Sequence, residues 1–128
     1  MPGKIYSLAG KRVFVAGHRG MVGSALVRRL QREDAIILAP DRSELDLTIQ
    51  AQTHAWLMKQ RPEVVFMAAA KVGGIAANNT FRAEFIYDNL SIAVNAIHAS
   101  YQAGVEKLMF FGSTCIYPRL AAQPMSEE

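Results

Sequence analysis

The sequence predicts an α/β protein in which a parallel sheet carries helices on both faces. Short apolar segments alternate with longer segments of helical periodicity from residue 12 onward. The apolar run at 64–68 shows no polar alternation, which is typical of a central parallel strand that is buried on both faces. Strands that alternate with helices in this way form parallel sheets through right-handed crossovers.

A glycine run between the first strand and the first helix carries the strongest functional signal. It spans Gly17–Gly23 with the spacing G-x-x-G-x-x-G. Gly17 is expected to turn the chain, Gly20 to admit a pyrophosphate, and Gly23 to bring the helix close to the strand. Backbone N–H groups and the positive end of the helix dipole hold phosphates at such a turn, so Arg19, Met21 and Val22 are also expected to bind cofactor. The context predicts a dinucleotide-binding, Rossmann-type domain over residues 1–128, and an ordinary loop of three glycines is the alternative.

The remaining elements follow from the same pattern. Four strands are predicted at 12–16, 35–38, 64–68 and 108–111, with helices at 21–32, 48–60 and 81–103 and loops at 70–80 and 112–128. The Rossmann order of strands, 3-2-1-4, places the apolar fourth strand at an open edge, which natural sheets rarely leave uncovered. We therefore expect the sheet to be incomplete at its C-terminal side and the chain to be the N-terminal portion of a longer protein. Coverage of that edge by a partner or by the tail is the alternative.

The predicted helices differ in how many of their faces are apolar. Val22, Leu26 and Leu30 lie on one face of the first helix, and Ile49, Trp56 and Leu57 lie on the buried side of the second. The third helix, which ends at Gly104, has one face with Ile86, Leu90, Val94, Ile97 and Tyr101 and another with Phe85, Ile92, Ala96, Ala99 and Ala103. A helix that is apolar on both sides is buried on both sides, so a homodimer through 81–103 is expected. Burial under a further part of the protein is the alternative.

Composition limits the classes of function. The 128 residues suffice for one domain with a core, and the net charge of +3 comes from scattered basic residues that form no nucleic-acid patch. The single cysteine excludes an internal disulfide and a cysteine-based zinc site, and no metal site is predicted. The N-terminal residues lack a signal segment and no run reaches the length of a membrane span, so a cytoplasmic protein without a membrane partner is expected.

The segment after the second strand bears on the choice of dinucleotide. Asp41 is placed to hold the ribose hydroxyls of NAD. Arg42, joined by Arg19 of the glycine run, is placed to pair with the extra phosphate of NADP, because a guanidinium fork matches phosphate geometry. The two arginines favour NADP (NADPH), and a solvated loop position is the alternative for Arg42.

Three segments taken in order identify a resemblance. They are GHRGMVGSA at 17–25, AAAKVGGIAANNT at 68–80 and GSTCIYP at 112–118. Together they resemble the GDP-L-fucose synthase family, in the extended branch of the short-chain dehydrogenase/reductases, over residues 12 to about 127. The glycine run alone is widely shared, whereas the second and third segments are far more specific.

The resemblance implies an NADP-dependent epimerase/reductase that converts GDP-4-dehydro-6-deoxy-D-mannose to GDP-L-fucose. In that family the serine that matches Ser113 bonds the ketone oxygen, and the cysteine that matches Cys115 works with a histidine as an acid/base pair. Further cofactor contacts are implied at Asp46 and Leu47 beside the adenine, at Ala68, Ala69 and Ala70 under the cofactor, and at Asn89. Lys71 is either a substrate or phosphate contact or a solvated lysine.

The chain departs from the family pattern in one respect. It has no Tyr-x-x-x-Lys after Ser113. We expect that pair, the partner histidine and the C-terminal domain for the GDP-sugar to lie beyond Glu128, so that this chain alone binds dinucleotide weakly and is inactive. The alternatives are another nucleotide-sugar epimerase or dehydratase, a non-catalytic NADP-binding module, and an inactive truncated product.

Overall fold

The central pair of strands, β1 and β3, organises the sheet. The computed structural model describes residues 6–127. In chain order its elements are β1 (Arg12–Ala16), α1 (Met21–Leu30), β2 (Ile36–Leu38), α2 (Gln50–Gln60), β3 (Val64–Met67), α3 (Ile75–Thr80), α4 (Arg82–Ala103), β4 (Lys107–Phe110) and a 3₁₀ turn (Thr114–Ile116). The strands pair in parallel throughout, with Phe14 of β1 in register with Leu38 of β2 and Val65 of β3. The predicted fold class, a Rossmann-type parallel sheet, is confirmed.

The predicted strand order 3-2-1-4 is wrong, because the observed order is β2-β1-β3-β4. Residues 39–49 form no strand beyond β2, and Leu45 and Leu47 turn into the core instead. The chain then crosses back through α2, so the fully apolar β3 takes the central place beside β1 and is covered on both faces. The direction of winding therefore reverses between β1 and β3, and ligands of open α/β sheets bind at such a point.

Helices cover both faces of the sheet, as the alternation predicts. One face packs Val13, Val15 and Val64 against Leu30 of α1. The other packs Phe14, Val65 and Met67 under α2 and α4, which also contact each other, with Trp56, Leu57, Ala96, Ala99 and Ala103 in the same cluster. Among the described residues, no helix has the length and apolar composition needed to cross a membrane.

Two local predictions require correction. The predicted loop at 70–80 contains α3, where the Asn78 side chain donates to the Gly73 and Gly74 carbonyls and closes the turn. Ile49, predicted to be buried, is 51% exposed because it caps the start of α2 rather than lying within it. Thr53 is buried in that part of the helix, and its hydroxyl donates to the Ile49 carbonyl at 3.0 Å.

The long helix α4 ends as predicted, at Gly104 in the left-handed conformation with φ of 74°. Its small residues Ala96, Ala99 and Ala103 are buried, which lets the helix lie close to the sheet and to α2. The opposite stripe, which we call the outer face of α4, is exposed and consists of Ile86, Leu90, Val94, Ile97 and Tyr101. The predicted burial of one apolar face of this helix is confirmed. Within residues 6–127 nothing covers the outer face.

Candidate dinucleotide-binding site

A cavity of about 540 Å³ opens at the carboxyl ends of β1, β2 and β3. Its walls are the glycine turn, the segment after β2, the segment after β3, and part of α4. Most of the residues predicted to bind cofactor line it: Gly17, Arg19, Gly20, Met21, Val22, Arg42, Asp46, Leu47, Ala68, Ala69 and Ala70. The volume lies within the range of cofactor pockets. The parallel sheet brings these distant segments together because their strands end at one edge.

Two glycines of the turn are required by the backbone. Gly17 has φ of 79°, and a methyl group there would stand 2.7 Å from the Ala68 carbonyl oxygen. A methyl group at Gly23 would overlap the Gly17 carbonyl, so the missing side chain lets α1 begin directly against the turn. Because neither glycine carries a side chain, the ends of β1 and β3 and the start of α1 lie close together beside the cavity.

The start of α1 presents free backbone donors to the cavity. The first backbone bond into the helix runs from Ser24 N–H to the Gly20 carbonyl at 2.9 Å, so the amides of Met21, Val22 and Gly23 precede the helical ladder. No acidic side chain lies in the first turn, and Gly20 makes no side-chain cap. Free N–H groups at the positive end of a helix dipole bind anions, so this corner fits a phosphate.

Charged groups surround the cavity at the end of β2. Arg19 Nη2 lies 2.7 Å from Asp41 Oδ2, and His18 Nε2 lies 3.3 Å from Asp41 Oδ1. Arg42 Nε lies 3.1 Å from Asp46 Oδ2. The side chain of His18 is only 21% exposed, because it turns inward toward Asp41. Glycine-run spacing gives no indication of that orientation.

Asp46 fixes the segment on which Leu47 and Thr48 lie. Its carboxylate accepts from the Thr48 hydroxyl at 2.7 Å and from the Thr48 N–H at 2.9 Å. These bonds, with the nearby Arg42 guanidinium, hold the pKa of Asp46 below its ordinary value, although partial burial acts the other way. The Asn95 side chain donates to the Leu47 carbonyl at 2.9 Å, which ties the segment to α4. This wall of the cavity is therefore held from two sides.

The wall after β3 is held by Asn89. Lys71 N–H donates to Asn89 Oδ1 at 2.8 Å, and Asn89 Nδ2 donates to the Lys71 carbonyl at 2.9 Å. Lys71 Nζ also lies 2.6 Å from Asp88 Oδ2, and both of these residues line the cavity. Asn89 itself is not among the lining residues, and its amide is engaged by the loop. Its place in the structure is that of a positioning residue behind the cavity wall.

The two residues assigned to catalysis by the resemblance lie on the loop after β4. Ser113 Oγ accepts from Cys115 N–H at 3.2 Å, and this bond starts the 3₁₀ turn. Both residues are exposed, and neither is among the residues that line the cavity. Within residues 6–127 no group of three His, Cys, Asp or Glu side chains is placed to hold a metal ion.

A doubly wound parallel sheet with a glycine turn at the point where the winding reverses defines the Rossmann-type class of domains. Within that class the chain belongs to the NAD dependent epimerase/dehydratase family, which residues 13–128 match. The outer face of α4, the glycine turn and the loop after β4 all fall inside the matched range.

Two named relatives are identical to this chain at more than half of the aligned positions. A GDP-L-fucose synthase of Sinorhizobium fredii (strain NGR234) is 56% identical over 124 residues, which is 97% of this chain and 40% of that protein. A GDP-L-fucose synthase of Escherichia coli K12 is 53% identical over 121 residues, or 94% and 38% of the two chains. The resemblance seen in the sequence is thereby confirmed. The chain spans about 40% of the length of these curated relatives.

Solved structures show the same fold. A GDP-mannoheptose C4 reductase from Campylobacter jejuni, with NADP bound, superposes with a TM-score of 0.87 at 41% identity, over 91% of this chain and 37% of that one. A GDP-D-glycero-L-gluco-heptose synthase from the same organism, solved in the presence of NADPH, gives 0.87 at 41% identity, over 91% and 34%.

Proposed function

We propose that this chain forms the NADP-binding part of an enzyme that epimerises and reduces GDP-4-dehydro-6-deoxy-D-mannose to GDP-L-fucose. The observation that carries the proposal is the cavity, in which a glycine turn, an arginine-bearing segment and an alanine-rich segment meet at the strand ends. The names of the relatives, at more than half identity, support the particular reaction. A cytoplasmic location is proposed with it.

The residues present fit a dinucleotide along the whole cavity. The free amides at Met21, Val22 and Gly23 take the pyrophosphate. Asp46 and Leu47 would hold the adenine, and Arg19 and Arg42 would hold the extra phosphate. The small side chains of Ala68, Ala69 and Ala70 leave room for the cofactor to lie flat across the strand ends. NADPH, when bound, supplies the hydride that reduces a ketone.

Ser113 and Cys115 are assigned the acid/base and electrostatic work. The ketone of the sugar acidifies the hydrogens on both flanking carbons, so one acid/base pair is sufficient to invert both centres. The Ser113 hydroxyl donates to the ketone oxygen, where negative charge develops as a proton leaves. Cys115 Sγ exchanges that proton together with the histidine that the family resemblance implies. Both residues follow β4, whose carboxyl end lies at the edge of the sheet that holds the cavity.

The outer face of α4 is assigned to a homodimer. Five apolar side chains recur at helical spacing over the length of this helix, and all are exposed. Contiguous exposed apolar surface of this kind marks association sites in soluble proteins. A second copy presents the same stripe and buries it symmetrically.

A second candidate function is reduction of a GDP-heptose. Three heptose enzymes among the solved structures are 41%, 42% and 41% identical to this chain, and two of them are named as reductases. Both candidate functions use the same cofactor site, because they differ in the sugar rather than in the dinucleotide. The choice of substrate therefore separates them.

A chimaera tests the reaction. The chain replaces the matching 121-residue segment of the Escherichia coli relative. The proposal expects the chimaera to form GDP-L-fucose from GDP-4-dehydro-6-deoxymannose and NADPH, with the Ser113→Ala and Cys115→Ser forms losing most of the activity. The matching exchange in the Campylobacter jejuni GDP-mannoheptose C4 reductase tests the second candidate, because the remainder of each parent protein is expected to hold that parent's own sugar. Chimaeras that fold and bind NADPH but turn over neither sugar contradict both candidates.

A further inference from the structure

We propose that Asp41 is a specificity-determining residue that acts as an internal anion of the dinucleotide site. In the free protein its carboxylate holds the guanidinium of Arg19, the group assigned to the extra phosphate of NADP. The phosphate must displace this carboxylate to reach Arg19, so Asp41 lowers the preference for NADPH over NADH. The inference rests on the proposed function and adds to it how the two cofactors are told apart.

The geometry places Asp41 between the end of β2 and the glycine turn. Among the described residues, its carboxylate partners are Arg19 at 2.7 Å and His18 at 3.3 Å, both from the turn. All three residues line the cavity. A phosphate that arrives between the end of β2 and Arg19 therefore meets a negative charge already seated on the guanidinium.

Asp46, which pairs with Arg42, is held differently from Asp41. It accepts two bonds from Thr48 besides its contact with Arg42, so its carboxylate is tied to its own loop. The Asp41 carboxylate has no such local bonds among residues 6–127; only its backbone carbonyl is engaged locally, by the N–H groups of Glu44 and Leu45. The side chain is therefore free to leave Arg19 without opening the loop.

The Asp41 carboxylate favours binding of a dinucleotide that lacks the extra phosphate. The vicinal hydroxyls of an unphosphorylated adenosine ribose are donors, and a carboxylate at the end of the second strand accepts from them. NADH therefore gains a charged acceptor from Asp41, whereas NADPH must displace that acceptor from Arg19. Both effects reduce the difference in affinity between the two dinucleotides.

Exposure sets the size of the effect. The side chains of Arg19 and Asp41 are 77% and 43% exposed, so water screens their attraction and the pair opens readily. Exposed ion pairs contribute modestly to free energy, which corresponds to affinity changes of about 1.5- to fivefold. We expect a shift in preference of that size rather than a complete exclusion of NADPH.

The test titrates the 128-residue chain with NADPH and with NADH and follows energy transfer from its single tryptophan, Trp56. Asp41→Asn removes the charge and keeps the shape. The expected result is a gain in NADPH affinity of about 1.5- to fivefold, with NADH affinity unchanged or lower. Asp34→Asn is the matched control, because Asp34 is exposed at the opposite end of β2 and outside the cavity lining. It should change neither affinity.

A double-mutant cycle separates an internal anion from simple charge repulsion. In an Arg19→Gln background the carboxylate has no guanidinium to occupy, so Asp41→Asn should lose most of its gain. An equal gain in both backgrounds overturns the internal-anion role. If Asp41→Asn does not fold by circular dichroism, Asp41→Ser carries the same expectation.

The outcomes distinguish this inference from the function beneath it. If the chain binds NADPH and neither Asp41 variant raises the ratio of NADPH to NADH affinity, the inference is wrong and the cofactor assignment stands. If neither the chain nor its variants bind NADPH, the proposed function fails and the inference fails with it.

Discussion

The side-chain amide of Asn89 on α4 brackets the backbone of Lys71, accepting from its N–H at 2.8 Å and donating to its carbonyl at 2.9 Å. The same Nδ2 donates to the Phe85 carbonyl within the helix at 2.9 Å. One side chain thus joins the long helix to the loop that forms a wall of the cavity. The position of that loop depends on a residue that does not itself line the cavity.

Asn89→Ala is expected to weaken both the fold and cofactor binding. The change removes the two bonds to the Lys71 backbone, and because both bonds are exposed to water, the free energy of unfolding should fall by about 0.5–1.5 kcal/mol. NADPH affinity should fall as well, because the segment after β3 loses its fixed position. Urea unfolding and NADPH titration measure the two effects. Asn79→Ala is the control, since within residues 6–127 the exposed Asn79 side chain accepts a single hydrogen bond, from the Arg82 guanidinium at 3.4 Å. Equal losses in the two variants contradict the role assigned to Asn89.

The low pKa of Asp46 predicts a pH dependence of stability. The Thr48 hydroxyl, followed by the Thr48 N–H and Arg42, stabilises the ionised form in the folded state. Because the folded pKa lies below the unfolded one, the contribution is fully present above the unfolded pKa. It is lost as the pH falls through the folded pKa.

Asp46→Asn tests this directly. Its unfolding free energy should be lower than that of the parent chain at neutral pH, and the two should converge as the solution is acidified below the ordinary range of a carboxyl group. Urea titrations at a series of pH values provide the measurement. If the unfolding free energies of the two proteins differ by the same amount at every pH, Asp46 is not the source of the pH dependence.

Val94→Glu tests the proposed homodimer. Val94 lies at the middle of the outer face of α4, and a buried unpaired carboxylate on each copy strongly opposes association. The parent chain should sediment as a dimer and the variant as a monomer. Gln102→Glu adds the same charge to an exposed position of α4 outside the stripe, and it should leave the dimer intact. A parent chain that sediments as a monomer at high concentration contradicts the proposal.

Local patterns predict the fold class well, because the apolar runs of β1 and β3 and the left-handed stop at Gly104 are encoded by neighbouring residues. They do not determine strand order, which depends on whether the segment after β2 prefers an edge or the core. Leu45 and Leu47 decide this by packing under the helices, a long-range effect with no period to detect.

The candidate site also has some features that local sequence predicts and others that it does not. The glycine turn and the alanine segment are short motifs at strand ends, so their meeting in one cavity follows from parallel topology. The inward turn of His18 and the bracket formed by Asn89 depend on partners 18 or more positions away. Local sequence patterns do not predict the orientation of either side chain.

NADPH binding by the chain and by two glycine variants tests the proposed cofactor site. Gly20 and Gly74 both cap helices with nearly the same backbone, φ −73° and ψ 172° against φ −70° and ψ 172°. A methyl group at Gly74 meets nothing within 4 Å, and one at Gly20 makes only ordinary contact with the Gly17 carbonyl. Both alanine variants should therefore fold, and only Gly20 lines the cavity.

Trp56 reports the result, because its ring lies 4.7 Å from that of Phe14, which lines the cavity, and its emission overlaps the absorption of NADPH. We predict energy transfer to NADPH in the parent chain and in Gly74→Ala, and a clear loss of affinity in Gly20→Ala, where the added methyl group would stand in the path of the pyrophosphate. No NADPH binding by the parent chain, or equal binding by both alanine variants, would contradict this prediction.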